Sequence, residues 1–309
     1  MSARIVVVGS LNMDLVVRTP RIPSPGETII GRELHTVPGG KGANQAVAAA
    51  RLGAEVSMVG RVGRDAFGGP LLANLAANGV DHAWVQEDPD AATGVALIEV
   101  DDAGRNSIVV VSGANMRLTP ADVDAAQPAL AGAQALLLQL ESPLETVLHA
   151  AQLGRRLGIA VILNPAPARP LPPELLAAVD VLAPNESETA LLTGRSVDTL
   201  ADAEEAARAL LDRGVPTVVL TLGERGSLLA RREGVQHFPA FPVTPVDTTA
   251  AGDAFLGGLA VAMAEGRPLE EAMRWGNAAG ALATTRLGAQ PSLPDRAAVL
   301  ALLASAAEA

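Results

Sequence analysis

Asp253 is the residue whose position most directly suggests chemistry. It follows a turn of small residues and precedes an apolar stretch that predicts a helix over 256–264. The turn consists of Ala250, Ala251 and Gly252, so a ligand can approach its backbone closely, and the first N–H groups of a helix have no partner within it. Such a helix start attracts phosphate. The Asp253 carboxylate either acts on a ligand bound at this turn or only complements the helix dipole, and this stretch fits both interpretations.

Lys41 is the second candidate, because it is the single lysine among 23 lysine and arginine residues. It lies in the glycine-rich stretch Gly39-Gly40-Lys41-Gly42-Ala43-Asn44. A compact ammonium and a planar guanidinium are not interchangeable, so a lysine kept only here points to a specific task. Chance placement is the alternative, since one lysine has to lie somewhere.

Composition limits the class of protein. The formal net charge is -11, and the chain has only two Trp, four Phe and no Tyr, which argues against a nucleic-acid or anionic-membrane surface. The absence of Cys excludes disulfides, thiolate nucleophiles and Cys-ligated zinc. No secretory pattern or membrane-spanning stretch is present in the sequence, so we expect a cytoplasmic protein with no membrane and no nucleic-acid partner.

Apolar runs that alternate with helical patterns predict the α/β sheet that would position these residues. The first strand covers Arg4–Gly9, and Asn12 and Asp14 follow its carboxyl end, where open α/β sheets bind ligands. Later strands end near Glu141, Asn164, Asn185 and Gly223 in the same way, over 135–140, 159–163, 179–182 and 217–221. A strand is also predicted over 55–60, and a further short strand follows the glycine turn that ends at Gly226. Helices are predicted over 42–52, 65–78, 143–157, 199–213, 269–286 and 295–304.

Two further regions predict a small β-sheet inserted into this body. From Leu15 to Val37 the pattern is strand-like and broken by prolines, and Thr93–Val111 predicts a hairpin with its turn at 101–104.

Familiar phosphate and nucleotide motifs are missing. The Walker A spacing fails at Lys41, and no Gly-x-Gly-x-x-Gly follows the first strand. The four histidines are scattered, so we assign them to the surface or the core. A dinucleotide-dependent oxidoreductase is therefore disfavoured.

Two separated stretches resemble the two signatures of the ribokinase family of sugar kinases. They are 39–46, which continues the lysine stretch through Gln45 and Ala46, and 247–253, which carries Asp253. Further resemblances occur in chain order at Gly9–Asp14, Pro25–Thr28, Leu138–Glu141, Asn164–Ala168, Pro184–Glu186 and Gly288–Ser292. The resemblance therefore covers essentially the whole chain.

The resemblance implies a ribokinase-like, doubly wound α/β fold with a mostly parallel sheet, helices on both faces and a small inserted β-sheet lid. It implies one domain over 1–309, with the lid formed by about 13–40 and 93–112 and a homodimer contact through that lid. It also implies transfer of the γ-phosphoryl group of ATP to the 5-hydroxyl of ribose, with Mg²⁺ and an activating K⁺.

The matching positions imply roles for individual residues. Asp253 would be the catalytic base, and Ala250, Ala251 and Gly252 would form the anion hole. The sugar would be bound by Asn12, Asp14, Gly40, Lys41, Asn44, Glu141 and Asp253, whose amides and carboxylates can pair with hydroxyl groups. Lys41, on a hinge of glycines, would bring its charge to sugar and phosphate when the lid closes.

The resemblance also implies nucleotide and cation contacts. ATP would lie along Asn185, Thr221, Gly223, Gly226, Gly252 and Asn277. Asn185 and Glu188 would organise Mg²⁺ and phosphates through water, although on sequence alone a helix cap is the simpler interpretation of Asn185. K⁺ would be held by Asp247, Thr249, Ala283, Arg286, Gly288 and Ser292, mostly through backbone carbonyls. Asn277 stands where the family often has an imidazole, which leaves the packing of the adenine open.

Two alternatives to a ribose kinase stay open. A sister kinase of the same fold could act on 2-deoxyribose, another sugar or a nucleoside, because one or two lid contacts to the 2-hydroxyl could decide the substrate. A non-catalytic sugar sensor could use the same pocket, but binding alone needs no base beside an anion hole.

Overall fold

The computed structural model describes residues 2–306, which form a large sheet, a small sheet and flanking helices. In chain order the strands are β1 Arg4–Val8, β2 Asn12–Arg18, β3 Glu33–Gly39, β4 Glu55–Gly63, β5 Val80–Asp88, β6 Gly94–Val100, β7 Asn106–Val111, β8 Ala135–Leu138, β9 Ala160–Leu163, β10 Val181–Leu182, β11 Thr217–Thr221, β12 Ser227–Arg231 and β13 Gly234–Phe238. The helices are α1 Lys41–Arg51, α2 Gly68–Ala77, α3 Pro120–Ala125, α4 Gln127–Leu130, α5 Leu144–Arg156, α6 Pro173–Leu176, α7 Glu186–Thr193, α8 Leu200–Asp212, α9 Ala251–Ala264, α10 Leu269–Ala283 and α11 Arg296–Ser305.

The large sheet has nine strands in the order β13-β12-β11-β10-β9-β8-β1-β4-β5. All neighbours are parallel except β11–β12 and β12–β13. The chain turns from β1 towards β4 on one side and later towards β8 on the other, so β1 lies where the strand order reverses. In doubly wound sheets this is where ligands bind, beyond the carboxyl ends of the strands.

Side-chain alternation along the strands divides the core into two layers. Ile5 and Val7 of β1 belong to a buried cluster with α1, α9 and α10, and Val6 and Val8 belong to a second cluster with α5 and α8. Successive strand residues point to opposite faces, so one apolar run serves both layers. Helices therefore cover both faces of the sheet.

The small sheet has the order β3-β2-β6-β7, with β2 and β6 parallel and the other pairs antiparallel. Together the two sheets confirm the predicted fold class. No helix within residues 2–306 is long and apolar enough to cross a membrane.

Several element boundaries differ from those predicted, and two strands were not predicted. The helix expected to begin at Asp65 begins at Gly68, and the Asp65 carboxylate accepts from the N–H groups of Phe67 and Gly68 in the turn that precedes it. The helix expected to run to Arg286 ends at Ala283. The sequence analysis did not identify β5 and β13, the two edge strands of the large sheet, whose residues alternate irregularly between exposed and buried.

Candidate active site

Two helix starts face each other at the carboxyl edge of the large sheet, namely those of α1 at Lys41 and of α9 at Ala251. Asn44 donates from Nδ2 to Oδ2 of Asp253 at 3.0 Å. Gln45 donates from Nε2 to Oδ1 of the same carboxylate at 3.0 Å. The two stretches singled out in the sequence therefore meet at one carboxylate, which is only 7% exposed.

Glycines allow the start of α1 to lie directly on the β1–β2 connection. A Cβ on Gly42 would lie 2.6 Å from the backbone nitrogen of Ser10. A Cβ on Gly40 would lie 2.6 Å from the nitrogen of Asn12, and its φ of 88° is a conformation that favours glycine. These two glycines are thus required by close backbone packing, which brings Asn12 next to the helix that carries Asn44.

Glu141, which follows β8, joins this connection to the helix start. Its Oε2 accepts from the hydroxyl of Ser10 and from the backbone N–H of Lys41 at 3.2 Å. The N–H of Gly42 donates to the Ser10 hydroxyl at 3.3 Å. A carboxylate at the first turn of a helix also complements its dipole, so Glu141 holds the start of α1 in place.

Asn115 orients one of the predicted sugar ligands, and the sequence analysis missed it. Its Oδ1 accepts from the N–H of Leu11 at 2.9 Å, and its Nδ2 donates to the carbonyl of Leu11 at 3.0 Å and to Oδ1 of Asn12 at 2.7 Å. Because Oδ1 of Asn12 is occupied, the amide nitrogen of Asn12 is left to donate to a ligand. Asn115 is buried and comes after the small sheet, so no local pattern marks it.

A cavity of about 200 Å³ opens beside Asp253. It is lined by Lys41, Asn164, Ala183, Asn185, Glu188, Thr221, Thr248, Ala250, Gly252, Asp253 and Leu256. Seven of these were predicted site residues. Asn164, Ala183, Thr248 and Leu256 were not, although Asn164 was recognised as a polar residue at a strand end.

Lys41 lies among carboxylates that control its charge and theirs. Burial lowers the pKa of its ammonium, but Asp253, Glu141 and Glu188 raise it more, so the net shift is upward. Burial raises the pKa of Asp253, and Lys41 together with the two amide donors opposes this rise. The cation therefore favours the ionised carboxylate that a base requires.

Asp14 lies on β2, and its carboxylate fills the space beside Gly39, where a Cβ would be 2.2 Å from Oδ2. Burial, then the charges of Glu141 and Asp253, raise its pKa from 3.8 to about 7. The free protein therefore holds a proton on Asp14 below neutral pH.

This raised pKa predicts a pH-dependent stability. A carboxyl group with a higher pKa in the folded state stabilises the fold below its unfolded pKa of 3.8, and this contribution is lost as pH rises through about 7. Asp14→Asn lacks this titration. We therefore expect its free energy of unfolding, relative to that of wild type, to rise by roughly 2 kcal/mol between pH 5 and pH 8. Urea unfolding of both proteins between pH 5 and pH 8 measures this, and parallel curves would contradict it.

Asn185 and Glu188 form a capping box at the start of α7. The N–H of Glu188 donates to Oδ1 of Asn185 at 2.8 Å, and the N–H of Asn185 donates to Oε2 of Glu188 at 2.8 Å. The helix-cap interpretation of Asn185 is therefore correct, and the same two residues line the cavity. Burial raises the pKa of Glu188, against the Asn185 N–H and the charge of Lys41. A carboxylate oxygen facing a polar cavity fits Mg²⁺, which accepts oxygen donors directly or through water.

Three of the residues predicted to hold K⁺ are joined directly. Thr249 donates from its N–H and its hydroxyl to Oδ1 of Asp247, at 2.9 and 2.6 Å, and the N–H of Gly288 donates to Oδ2 at 2.8 Å. The N–H of Asp247 also donates to the carbonyl of Thr284, next to Ala283 at the end of α10. Asp247 therefore closes this loop, and backbone carbonyls are the oxygen donors that suit K⁺.

The other two predicted K⁺ residues lie beside Arg51 of α1. The Arg51 guanidinium donates to the carbonyls of Gln290 and Leu293, on either side of Ser292. Burial, and to a lesser extent the positive charge of Arg286, lower the pKa of Arg51. Among residues 2–306, no group of three or more His, Cys, Asp or Glu side chains is arranged to hold a metal ion.

The predicted nucleotide contacts divide into two groups. Asn185, Thr221 and Gly252 line the cavity, whereas Gly223, Gly226 and Asn277 do not. Gly226 has its own structural reason to be glycine, since a Cβ there would lie 2.1 Å from the carbonyl oxygen of Phe238. Asn277 donates to that same carbonyl at 3.1 Å and accepts from the hydroxyl of Ser227 at 2.9 Å, so its amide is engaged within the protein.

The turn before α9 combines a strained residue with an open one. Ala250 has φ 59°, and it is the one non-glycine residue between 2 and 306 with positive φ. This conformation costs an alanine roughly 1–2 kcal/mol. A Cβ built on Gly252 would meet no protein atom within 4 Å, so the fold itself does not require glycine there. The N–H of Ala251 donates to the carbonyl of Thr248 at 3.2 Å, whereas the open space above Gly252 and the N–H of Gly252 can receive an anion.

Comparison with known proteins places this geometry in a family. A model of the pfkB family of carbohydrate kinases matches residues 2–296. The chain is 42% identical over 303 residues to the ribokinase of Haemophilus influenzae, covering 98% of this chain and 99% of that protein. It is 42% identical over 292 residues to the deoxyribokinase of Salmonella typhi, covering 94% and 95%. The structure of Arabidopsis thaliana ribokinase complexed with ribose and ATP matches with a TM-score of 0.90 and 38% identity, covering 98% and 99%.

Proposed function

The chain belongs to the pfkB family of carbohydrate kinases, and we propose that it transfers the γ-phosphoryl group of ATP to O5 of D-ribose. The observation that carries this proposal is the contact between Asp253 and Asn44, which puts a buried carboxylate between the lysine stretch and a helix start that can receive phosphate. Ribokinase relatives that match nearly the whole chain, and the complex of one of them with ribose and ATP, support it.

In the proposed reaction Asp253 takes the proton of the attacking hydroxyl through Oδ2. The hydroxyl oxygen forms a bond to the γ-phosphorus as the bond between that phosphorus and its bridging oxygen breaks, and ADP leaves. The N–H group of Gly252 at the start of α9, together with the helix dipole, stabilises the charge on the transferred group. The N–H of Ala251 donates to the carbonyl of Thr248 at 3.2 Å in the free protein. Lys41 lines the same cavity and contributes a positive charge there, so positioning and electrostatics supply most of the catalysis.

The sugar would lie between β2 and the start of α1. Asn12, oriented by Asn115, donates to a hydroxyl group, and Asp14 and Glu141 accept from others. Asn44 has a buried Oδ1 without a hydrogen-bond partner in the described structure, which suits acceptance from a sugar hydroxyl. Gly40 allows the sugar to approach the backbone closely.

The nucleotide phosphates would occupy the cavity beside Asn185, Thr221 and Gly252. Mg²⁺, when bound, neutralises phosphate charge, and Glu188 is the residue that would hold it through water. K⁺ would be held by carbonyls of the loop that Asp247 closes, behind the anion hole. Both cations, and a cytoplasmic location, remain predictions.

A kinase for 2-deoxyribose is the nearest alternative. The deoxyribokinase relative is as similar to this chain as the ribokinase relative, at 42% identity, so overall similarity does not separate the two substrates. A non-catalytic sugar sensor is the less favoured alternative, because sugar binding alone does not explain Asp253 beside an open helix start.

The experiment that tests the function compares ATP-dependent phosphorylation of D-ribose, 2-deoxyribose, fructose and adenosine, with and without K⁺. We expect D-ribose to give the highest kcat/KM. Preference for 2-deoxyribose or for another acceptor would change the proposed substrate but leave the proposed phosphoryl transfer in place. Sugar binding without phosphorylation would favour the sugar sensor.

Gly252→Ala provides a test of the anion hole. Since no protein atom opposes a Cβ at this position, we expect the protein to keep or gain stability, by about 0.5–1 kcal/mol, as alanine is the better helix residue. The methyl group would occupy the space proposed for phosphate, so kcat/KM for ATP should fall by about tenfold or more. Thermal unfolding and steady-state kinetics measure the two effects, and unchanged kinetics would place the phosphate elsewhere.

We further propose that the small sheet is a lid whose outer face forms a homodimer. Asn12 and Asp14 are two positions apart on β2, so their side chains share the face of the small sheet towards the site. The opposite face carries Leu97 and Val109, which pair across β6 and β7, and Leu34 on β3, and these side chains are 47%, 57% and 65% exposed. An exposed apolar face of this kind suits contact with a second copy.

Val109→Glu should shift the protein from dimer towards monomer, because it places a charge on that apolar face. Light scattering after size exclusion measures the mass. Leu191→Glu is the matched control, since Leu191 is 54% exposed on α7 outside the small sheet and its replacement should leave the mass unchanged. A monomeric wild type would contradict the proposal.

A further inference from the structure

Two buried glutamines form a hydrogen-bonded chain that ends on the proposed base. Gln139 donates from Nε2 to Oε1 of Gln45 at 2.6 Å, and Gln45 donates from Nε2 to Oδ1 of Asp253 at 3.0 Å. Gln45 is 0% and Gln139 is 1% exposed. A buried pair of amides without a structural partner is costly, so its connection to a single carboxylate needs an explanation.

The chemistry of the partners fixes the direction of every amide in this chain. The Asp253 carboxylate only accepts, so Gln45 must present its nitrogen there and its oxygen to Gln139. Gln45 Nε2 also lies 3.4 Å from Oδ1 of Asn164, whose own nitrogen donates to the carbonyl of Ala183 at 3.0 Å. Each amide therefore has one permitted orientation.

Room for the chain is built into the first strand–helix connection. A Cβ on Gly9 would lie 1.9 Å from Oε1 of Gln139, so only glycine at this position admits the Gln139 amide. Gly9 thus makes room for the side chain of Gln139, which is connected to Asp253 through Gln45.

We propose that Gln45, anchored by Gln139, is a positioning residue that fixes Oδ1 of Asp253 and leaves Oδ2 to accept the proton of the sugar hydroxyl. This inference rests on the proposed kinase function. Asn44, which holds Oδ2 here, has no partner on its own Oδ1, so it is free to exchange Asp253 for the sugar. Gln45 has no such freedom, because both ends of its amide are bonded.

The same hydrogen bond affects the ionisation of Asp253. Burial and Glu141 raise the pKa of Asp253, while Lys41, Asn44 and Gln45 lower it. Asp14 and Glu188 also interact with Asp253 by charge, and the negative charge of Asp253 raises the pKa of each. Loss of the Gln45 donor therefore leaves a buried carboxylate among like charges with less support.

Gln45→Met tests the proposal, because methionine keeps the length of the side chain and removes the donor. The protein is labelled with ¹³C-carboxyl aspartate, Asp253 is assigned by its absence in Asp253→Asn, and its titration is followed by NMR without substrate. We expect the midpoint to move upwards by about one pH unit in Gln45→Met. Gln139→Met, which removes only the anchor, should shift it less in the same direction.

Thr146→Val is the matched control for loss of a buried hydrogen bond. Thr146 is 1% exposed and donates to the carbonyl of Leu118 at 2.8 Å on the other face of the sheet, so its replacement should not move the Asp253 titration. In kinetics with whichever sugar the enzyme phosphorylates, the acidic limb of kcat should move with the NMR midpoint, and KM for the sugar should change by less than about threefold.

The outcomes separate this inference from the proposed function. Rejection of ribose as substrate leaves the NMR titration as a complete test of the glutamine chain. An unmoved Asp253 midpoint in both Gln45→Met and Gln139→Met overturns the inference even if ribose is phosphorylated. If Gln45→Met does not fold, an unmoved midpoint in Gln139→Met alone overturns it.

Discussion

Asp253→Asn is expected to lower kcat for sugar phosphorylation by about 10²-fold or more while sugar affinity stays within a few-fold of wild type. The amide keeps the shape of the carboxylate but cannot take a proton, and a general base contributes about 10²–10⁴-fold to rate. The pattern separates chemistry from binding, because a loss in kcat without a rise in KM removes an interaction made only in the transition state.

Steady-state kinetics and calorimetric titration of the sugar measure these two effects. Asp90→Asn is a suitable control, because Asp90 is an exposed acid two residues after the end of β5 and its replacement changes net charge by the same amount. Near-normal turnover in Asp253→Asn would show that the carboxylate only complements the dipole of α9. Loss of sugar binding would assign it to substrate recognition instead.

Much of the fold followed from local signals in the sequence. Buried parallel strands appear in the sequence as short apolar runs. A polar residue or glycine, such as Asn164, Asn185 or Gly223, follows each run and marks the end of the strand. These signals predicted the sheet and both small-sheet regions. β5 and β13 were missed because they are edge strands whose exposed residues hide the period of two.

The candidate site was predictable only where its residues lie in short motifs. Asp253, Lys41 and Asn44 stand in glycine-rich stretches whose composition indicates close approach to a ligand. Asn115 and Gln139 act through side-chain hydrogen bonds to residues about a hundred positions away, and no periodicity records such contacts. The left-handed conformation of Ala250 was equally hidden, since a small side chain permits it without requiring it.

The glycines of the lysine stretch show how one motif serves two purposes. Gly40 and Gly42 are required by backbone contacts beneath the start of α1, whereas Gly252 at the other helix start faces open space. The first pair therefore builds the site, and Gly252 leaves room for its ligand. Substitution should reveal the difference, because the first pair would cost stability and Gly252 would cost activity.

Lys41→Met is expected to lower kcat by about 10²–10³-fold, a magnitude typical for loss of one charge-stabilising group in an active site. Lys41 is the cation among Asp253, Glu141 and Glu188, and all three raise its pKa against the effect of burial. Without it, the pKa of Asp253 should rise further, so the acidic limb of the pH–rate profile should move to higher pH. The pH dependence of kcat measures both effects.

Lys41→Arg distinguishes charge from geometry at the same position. The guanidinium keeps the positive charge, so the acidic limb should stay closer to wild type, but it is larger and planar and must fit where Gly40 and Gly42 hold the backbone against β1 and β2. We expect kcat to fall by about tenfold or more. Arg155→Met, at an exposed position in the last turn of α5, removes one positive charge from the surface and should leave kcat unchanged. A wild-type rate in Lys41→Arg would mean that the single lysine of the chain is an accident of composition.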